Sequence, residues 1–371
     1  MQFVKTDNLR VGMRLARPIY SKQGVLLFER DSRLTSQGIE SISNFGLIGL
    51  FILEPAEPVP PMTQEDLDFE RFQTMVVFSI QEELKNIMSN KKLAKIQTLA
   101  STITRNYGHL DKKINFIQNL RSKEDYIYKH TLNVAILCTM ISHVMNIRLD
   151  EQFSTILAAL VHDIGKLSLP PEMMYFEDPN SKHVQTIRKA ETGAYGLIES
   201  VFTDGTSIRR ICMQSQKALA DMEDGQVSST KMVTGAKILA VADTYDTMTA
   251  MKMNGTPLSE VAALKFILSH PDTFAPEVVN SLIQCINILG PGVSVELNTG
   301  EKALVINSND RDVLRPIVLS FRDNSIIDLS DMKYNGDIEI VDIMKTLDNR
   351  CIIDTESLRK AGITVDEPTY M

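Results

Sequence analysis

The spacing of hydrophobic positions changes along the chain, and each change marks a different kind of element. Near the start, "RLARPIY" and "GVLLF" are short β-prone runs separated by "SKQ", which predicts a hairpin. "LTSQGIESISNFG" then reads as a short helix, with Thr35 or Ser36 near its cap and Gly46 just past its end. "IGLFIL" closes the block as a strand. Residues 1–54 are therefore expected to form a small α+β domain.

The stretch "EPAEPVPPM", residues 54–62, holds four prolines in nine positions and predicts an extended linker. Helical spacing follows in "FERFQTMVVFSIQEELKNIM", so residues 55–118 read as a Pro-rich linker and a helical connector. Such a connector either pairs between subunits, giving a homodimer, or packs onto the chain's own core. Residues 119–288 alternate helical patterns with short polar breaks. Phe153, Ile156, Leu157, Leu160 and Ile164 fall on one face at spacings of three and four. The period then shortens to two. Val293, Val295 and Leu297 alternate before a Thr-Gly turn, and "ALVI" and "PIVLSF" look like further strands. This predicts a small β extension over 289–345 and a tail over 346–371. The fold class is mainly α.

Charge and cysteine usage narrow the function. A net charge of −8 and a pI of about 5.4 argue against a nucleic acid polymer as partner. Cys138, Cys212, Cys285 and Cys351 are scattered without a CxxC, which reads as a reduced, cytoplasmic protein. "MQFVKTDNLR" carries no apolar signal region. The most apolar window, "LNVAILCTMISHVMNI", is too short and too polar for a membrane span and reads as a buried helix.

The segment "LAALVHDIGKLSLPPE" places His162, Asp163 and Lys166 on a helix that otherwise looks buried. Buried charge is costly unless paired or bound to metal. The group is thus either a satisfied structural pair or a ligand set. His130 in "YKHTLNVA" and Asp243 in "AKILAVADTYDTM" sit on two more apolar helices. Two imidazoles and two carboxylates suit a borderline transition metal or Mn²⁺. Taken singly, each reads as a satisfied core residue; taken together, the order H…HD…D on three helices is far more specific.

That order resembles the HD phosphohydrolase superfamily. The finer likeness is to the HD-GYP family, which includes bacterial cyclic di-GMP phosphodiesterases. "HTLNVA", "HDIGKL", "AKILAVADTYDTMTA" and "PLSEVAAL" all read as its segments. "LRVGMRLARPIY" resembles a small N-terminal domain often found ahead of such modules, and "GPGVSVELNTGEKALVI" resembles their C-terminal extension. The resemblance implies an HD-type helical bundle with a metal held by His130, His162, Asp163 and Asp243. Fe, Mn or a similar divalent ion is expected, as a single ion. Asp163 and Lys166 would serve catalysis. Lys166 and Lys252 would meet substrate, a cyclic dinucleotide or another phosphate ester. A plain ion pair with Asp163 is the alternative role for Lys166.

Other family positions depart from the pattern. The histidine expected downstream of the HD pair falls on Glu191 or Ala190, and Glu191 either replaces it as a ligand or faces water. The His-His-Glu triplet falls on Gln214, Ser215 and Gln216, and the GYP signature falls within "LADMEDGQVSS", read as a solvated acidic loop. The Arg-Pro-Tyr-Arg segment falls on Lys252, Met253, Asn254 and Gly255, and a further lysine position falls on Phe176. The expectation is a divergent metal-binding protein with weak or lost phosphodiesterase activity. The alternatives are an active mononuclear phosphohydrolase, and a non-catalytic nucleotide sensor or a scaffold for protein partners.

Overall fold

The computed structural model describes residues 2–21, 25–53, 59, 61–89, 95–170, 173, 182–227, 231–252, 256–344, 355–360 and 362. Most of the proline-rich stretch 54–62, and with it that linker, lies outside the described residues.

The first unit is a three-stranded antiparallel sheet with one helix and a hairpin. Its strands are β1 (Gln2–Lys5), β2 (Arg14–Leu15) and β5 (Gly49–Leu53), in the order β1-β5-β2. The sequence reading passed over β1. The hairpin pairs β3 (Ile19–Tyr20) with β4 (Leu26–Phe28). Helix α1 (Ser36–Asn44) starts at Thr35, whose hydroxyl accepts from the Gly38 amide at 3.0 Å. Past its end Gly46 adopts φ of 66°, which a side chain would strain.

The second unit is helical. Helix α2 (Gln64–Met88) opens with a capping box between Thr63 and Asp66, and α3 (Ile96–Tyr107) follows. The connector is thus two helices, followed by a non-helical stretch up to Asp125. Phe69, Val77, Ile80, Leu84 and Ile87 of α2 are buried in the chain's own core. At its centre is α4 (Tyr126–Val144), buried nearly all round, against α5 (Leu149–Val161). Around these stand α6 (Lys182–Gly193), α7 (Tyr195–Val201), α8 (Gly205–Glu223), α9 (Thr234–Thr249), α10 (Glu260–Leu268) and α11 (Pro276–Cys285). No helix among the described residues is long and apolar enough to cross a membrane.

The third unit is a five-stranded antiparallel sheet of β6 (Ser294–Leu297), β7 (Lys302–Asn307), β8 (Ile317–Ser320), β9 (Ile326–Asp328) and β10 (Ile340–Ile343). Its order is β10-β6-β7-β8-β9. Val295, Leu297, Ala303, Val305 and Val318 join the helical core, so this sheet shares the main core. The first unit has its own small core of Leu15, Ile19, Leu34, Ile42, Leu50 and Ile52. It docks onto the stretch just before α4: the Ile48 amide donates to the Arg121 carbonyl at 2.9 Å, and Phe51 and Leu53 pack on Met251. That docking fixes the approach of Arg121 to the helical bundle.

Candidate metal centre

The bundle brings together the four residues that the sequence singled out. His130 lies in the first turns of α4. His162 and Asp163 are not in the body of a helix, as the sequence reading had them. Helix α5 ends at Val161, His162 caps it, and Asp163 begins a 3-10 turn over Ile164–Ser168. The break turns both side chains inward. In a 3-10 turn residues three apart eclipse, so Lys166 stands over Asp163 with its ammonium 2.8 Å from the carboxylate. Gly165 lets this turn press against α6: a Cβ there would lie 2.4 Å from the Ala190 carbonyl oxygen.

Nε2 of both histidines and a carboxylate oxygen of Asp163 lie within 4.8 Å of one another. The two Nε2 atoms are 3.3 Å apart. Asp163 reaches each of them at 3.6 Å. Asp243, from α9, places Oδ1 at 3.2 Å from His130 Nε2 and 4.0 Å from His162 Nε2. Ligands bonded at about 2.1 Å to one ion in a tetrahedron stand about 3.4 Å apart. The spacing of His130, His162 and Asp163 suits one divalent cation, and Asp243 stands beside that trio, nearest to His130.

The hydrogen bonds behind the histidines fit it too. His162 Nδ1 donates to the Ala159 carbonyl at 2.8 Å. His130 Nδ1 meets Asp246 Oδ2 at 2.6 Å. Each ring thus turns its Nε2 edge to the cluster, the support that metal-binding imidazoles usually have. Burial would lower the His130 pKa, but its hydrogen bonds to Asp243 and Asp246 and their charges lift it to about 9. Burial would raise the carboxyls of Asp163 and Asp243; Lys166 and the histidines hold the first down, and the His130 hydrogen bond the second. The pocket is built to hold positive charge.

Asp246 was missed by the sequence reading. It lies one turn after Asp243 in "ADTYDTM", on the same helix face. The fully buried Arg121 grips it at 2.6 and 2.9 Å. Asn133 and Gln118 also donate to its Oδ1, at 2.8 and 3.0 Å. The i,i+3 pair of aspartates was a usable signal. Arg121 in "NLRSKED" offered none.

The remaining candidates fall around a cavity of about 490 Å³ beside the cluster, lined by His130, Asp163, Lys166, Glu191, Asp243 and Lys252. Glu191 on α6 lines the cavity, partly buried. Its carboxylate is 3.3 Å from the Lys166 ammonium, and burial lifts its pKa to about 7. Burial would lower the Lys166 pKa, but Asp163 and Glu191 push it up. Phe176, Met253, Asn254 and Gly255 lie outside the described residues. On α8, Gln216 donates to the His162 carbonyl at 2.7 Å, and Gln214 bonds the backbone of Lys231 and Val233 at 3.3 and 2.8 Å. The acidic run that the sequence reading took for a loop begins as the last turn of α8. Arg188 of α6 ties it down at 2.9 Å to Glu223 and 2.8 Å to Asp224.

Residues 115–278 match the family model described as HD domain. This segment resembles an HD domain. A curated relative, a cyclic di-GMP phosphodiesterase of Pseudomonas aeruginosa, is 24% identical over 216 residues, which are 54% of this chain. The match spans 49% of that relative's length, about half. Among solved structures, Bd1817, an HDG"Y"P protein from Bdellovibrio bacteriovorus, aligns with a TM-score of 0.34 and 14% identity. That alignment covers 76% of this chain and 97% of the other.

Proposed function

We propose that this chain is a divergent HD-GYP-like protein of cyclic di-GMP signalling that holds one divalent transition metal and has weak or lost phosphodiesterase activity. His130, His162, Asp163 and Asp243 would hold the ion. A divalent ion there would supply Lewis acidity toward a phosphoryl oxygen. Asp246 and the Ala159 carbonyl orient the two imidazoles, and Lys166 neutralises Asp163.

The observation that carries the proposal is what stands around the quartet. Lys166 and Glu191 pair where the resemblance expects a further ligand. Gln214 spends both ends of its amide on backbone, and Gln216 donates to the His162 carbonyl and accepts from the Tyr195 hydroxyl. Neither residue is offered to a second ion. Two-ion phosphodiester cleavage clamps both the attacking and the leaving oxygen, and removing one such stabiliser costs roughly 10²–10³ in rate.

The second reading, an active mononuclear phosphohydrolase, is favoured by one feature. The cavity beside the quartet is open and carries Lys166, Lys252 and Arg188. Lys166 and Arg188 are ion-paired within its wall, so a phosphate ester would meet them in competition with Asp163, Glu191, Glu223 and Asp224. Turnover of cyclic di-GMP with Mn²⁺ or Fe²⁺ separates the two. The proposal expects far less than about 1 s⁻¹, the low end for ordinary enzymes. Faster turnover that His162→Ala with Asp163→Ala abolishes would make the second reading correct. Turnover that survives this double change belongs to a contaminant.

A further inference from the structure

A second cavity, of about 510 Å³, opens where the N-terminal unit meets α2 and the stretch leading into α4. We infer that it is a binding site for a small uncharged heterocycle of the nucleobase or nucleoside class, linked to His130 by a hydrogen-bond relay. The inference stands on this cavity alone and does not need a metal at His130.

The volume suits a small-molecule ligand. The walls supply three aromatic rings, Tyr20, Phe45 and Phe78, beside Val77 and Leu47. They also supply side-chain amides from Asn44, Gln73, Gln81 and Asn119, while the Gln118 amide is spent on Asp246, Thr249, Arg121 and Asn133. Rings for stacking and amides that both donate and accept suit a planar base with mixed donor and acceptor edges. Two of those amides have a buried atom without a hydrogen-bond partner among the described residues: the acceptor Gln73 Oε1 and the donor Asn119 Nδ2. Leaving such atoms unmet is costly, and both belong to residues of the cavity wall.

The charges argue against a phosphorylated ligand. Arg17 is spent on the Gln118 carbonyl at 3.0 Å and on Glu70 at 3.8 Å. Lys129 is paired with Asp125 at 2.7 Å. With Glu124 also in the wall, carboxylates outnumber cations.

The relay is short. Gln118 lines the cavity and donates to Asp246 Oδ1 at 3.0 Å. Gln73 lines it too, and donates at 2.8 Å to Asn133, which in turn donates to Asp246 at 2.8 Å. Asp246 then holds His130 Nδ1 at 2.6 Å. A ligand that re-aims either glutamine moves the group that orients His130.

The test uses the full chain, with adenosine and guanosine as probes in calorimetry. At least one should bind with a micromolar Kd, and its 5′-monophosphate should bind less tightly. Thr74→Phe, which fills the cavity from α2, and Asn44→Trp at its rim should each weaken binding at least about tenfold. Lys166→Gln, in the other cavity, should leave it unchanged. In histidine-labelled protein without metal, the His130 ring resonance should shift on adding the nucleoside. No binding up to about 1 mM, tighter binding of the monophosphate, or loss in Lys166→Gln rather than in the two cavity variants would overturn the site. Binding with no shift at His130 would overturn the relay.

Discussion

His130 Nδ1 and Asp246 Oδ2 are 2.6 Å apart, and that contact decides which nitrogen His130 has left to offer. With Nδ1 held by a buried carboxylate, Nε2 turns toward His162, Asp163 and Asp243. Losing such a partner typically lowers metal affinity about 10- to 100-fold. Asp246→Asn should therefore weaken Mn²⁺ binding by that factor in calorimetry with the ligand quartet intact. Unchanged affinity would mean that another group orients the ring.

Arg121 is the other half of that anchor. It is fully buried, with its guanidinium on Asp246 and its ring-side face 4.8 Å from Tyr126. Breaking a buried pair leaves a charge without its partner and costs about 3–5 kcal/mol. Arg121→Ala should lose stability on that scale in urea unfolding. A loss under about 1 kcal/mol would show that Asp246 is held well enough by Asn133, Gln118 and His130.

The four proposed ligands stood out in the sequence because they are polar residues in apolar runs. His130, His162, Asp163 and Asp243 each break such a pattern, and the structure brings all four within 4.0 Å of a neighbour in the set. The small strands and the capped helix of the first unit were readable for the same local reasons, as Thr35 and Gly46 illustrate. What was hidden depends on contacts distant in sequence. Arg121 meets Asp246 across 125 positions of sequence, on a stretch whose backbone also takes the Ile48 amide of the N-terminal unit. The ending of α5 at Val161 was hidden as well, since "LVHDIGKL" keeps its apolar spacing through the break.

In the proposed function the Lys166–Glu191 pair would set the charge met by an incoming phosphate. Two unit charges about 4 Å apart in a wet site interact by about 1 kcal/mol, or about fivefold in affinity. Glu191→Gln should tighten binding of inorganic phosphate by about that factor, and Lys166→Gln should weaken it by a similar one. Calorimetry at least about one pH unit above the Glu191 pKa of about 7, where its carboxylate is charged, checks both. Equal affinities in the two variants would remove this pair from the ligand path.

Binding a metal to the folded state alone also stabilises that state. At a free concentration about 100 times Kd the gain is about 2.7 kcal/mol. For a domain of this size that moves Tm by roughly 5–10 °C. Adding a chelator to the loaded protein should lower Tm by that amount in calorimetric scans, and Mn²⁺ should restore it. A Tm indifferent to both would leave no role for the ion in the fold.

The central claim is that His130, His162, Asp163 and Asp243 hold one metal ion, and metal analysis joined to anomalous scattering tests it most directly. The account predicts about one equivalent of a divalent transition metal and a single anomalous peak between His162 and Asp163. Both should vanish in His162→Ala with Asp163→Ala. Less than about half an equivalent of any such metal, or a peak elsewhere, would contradict it.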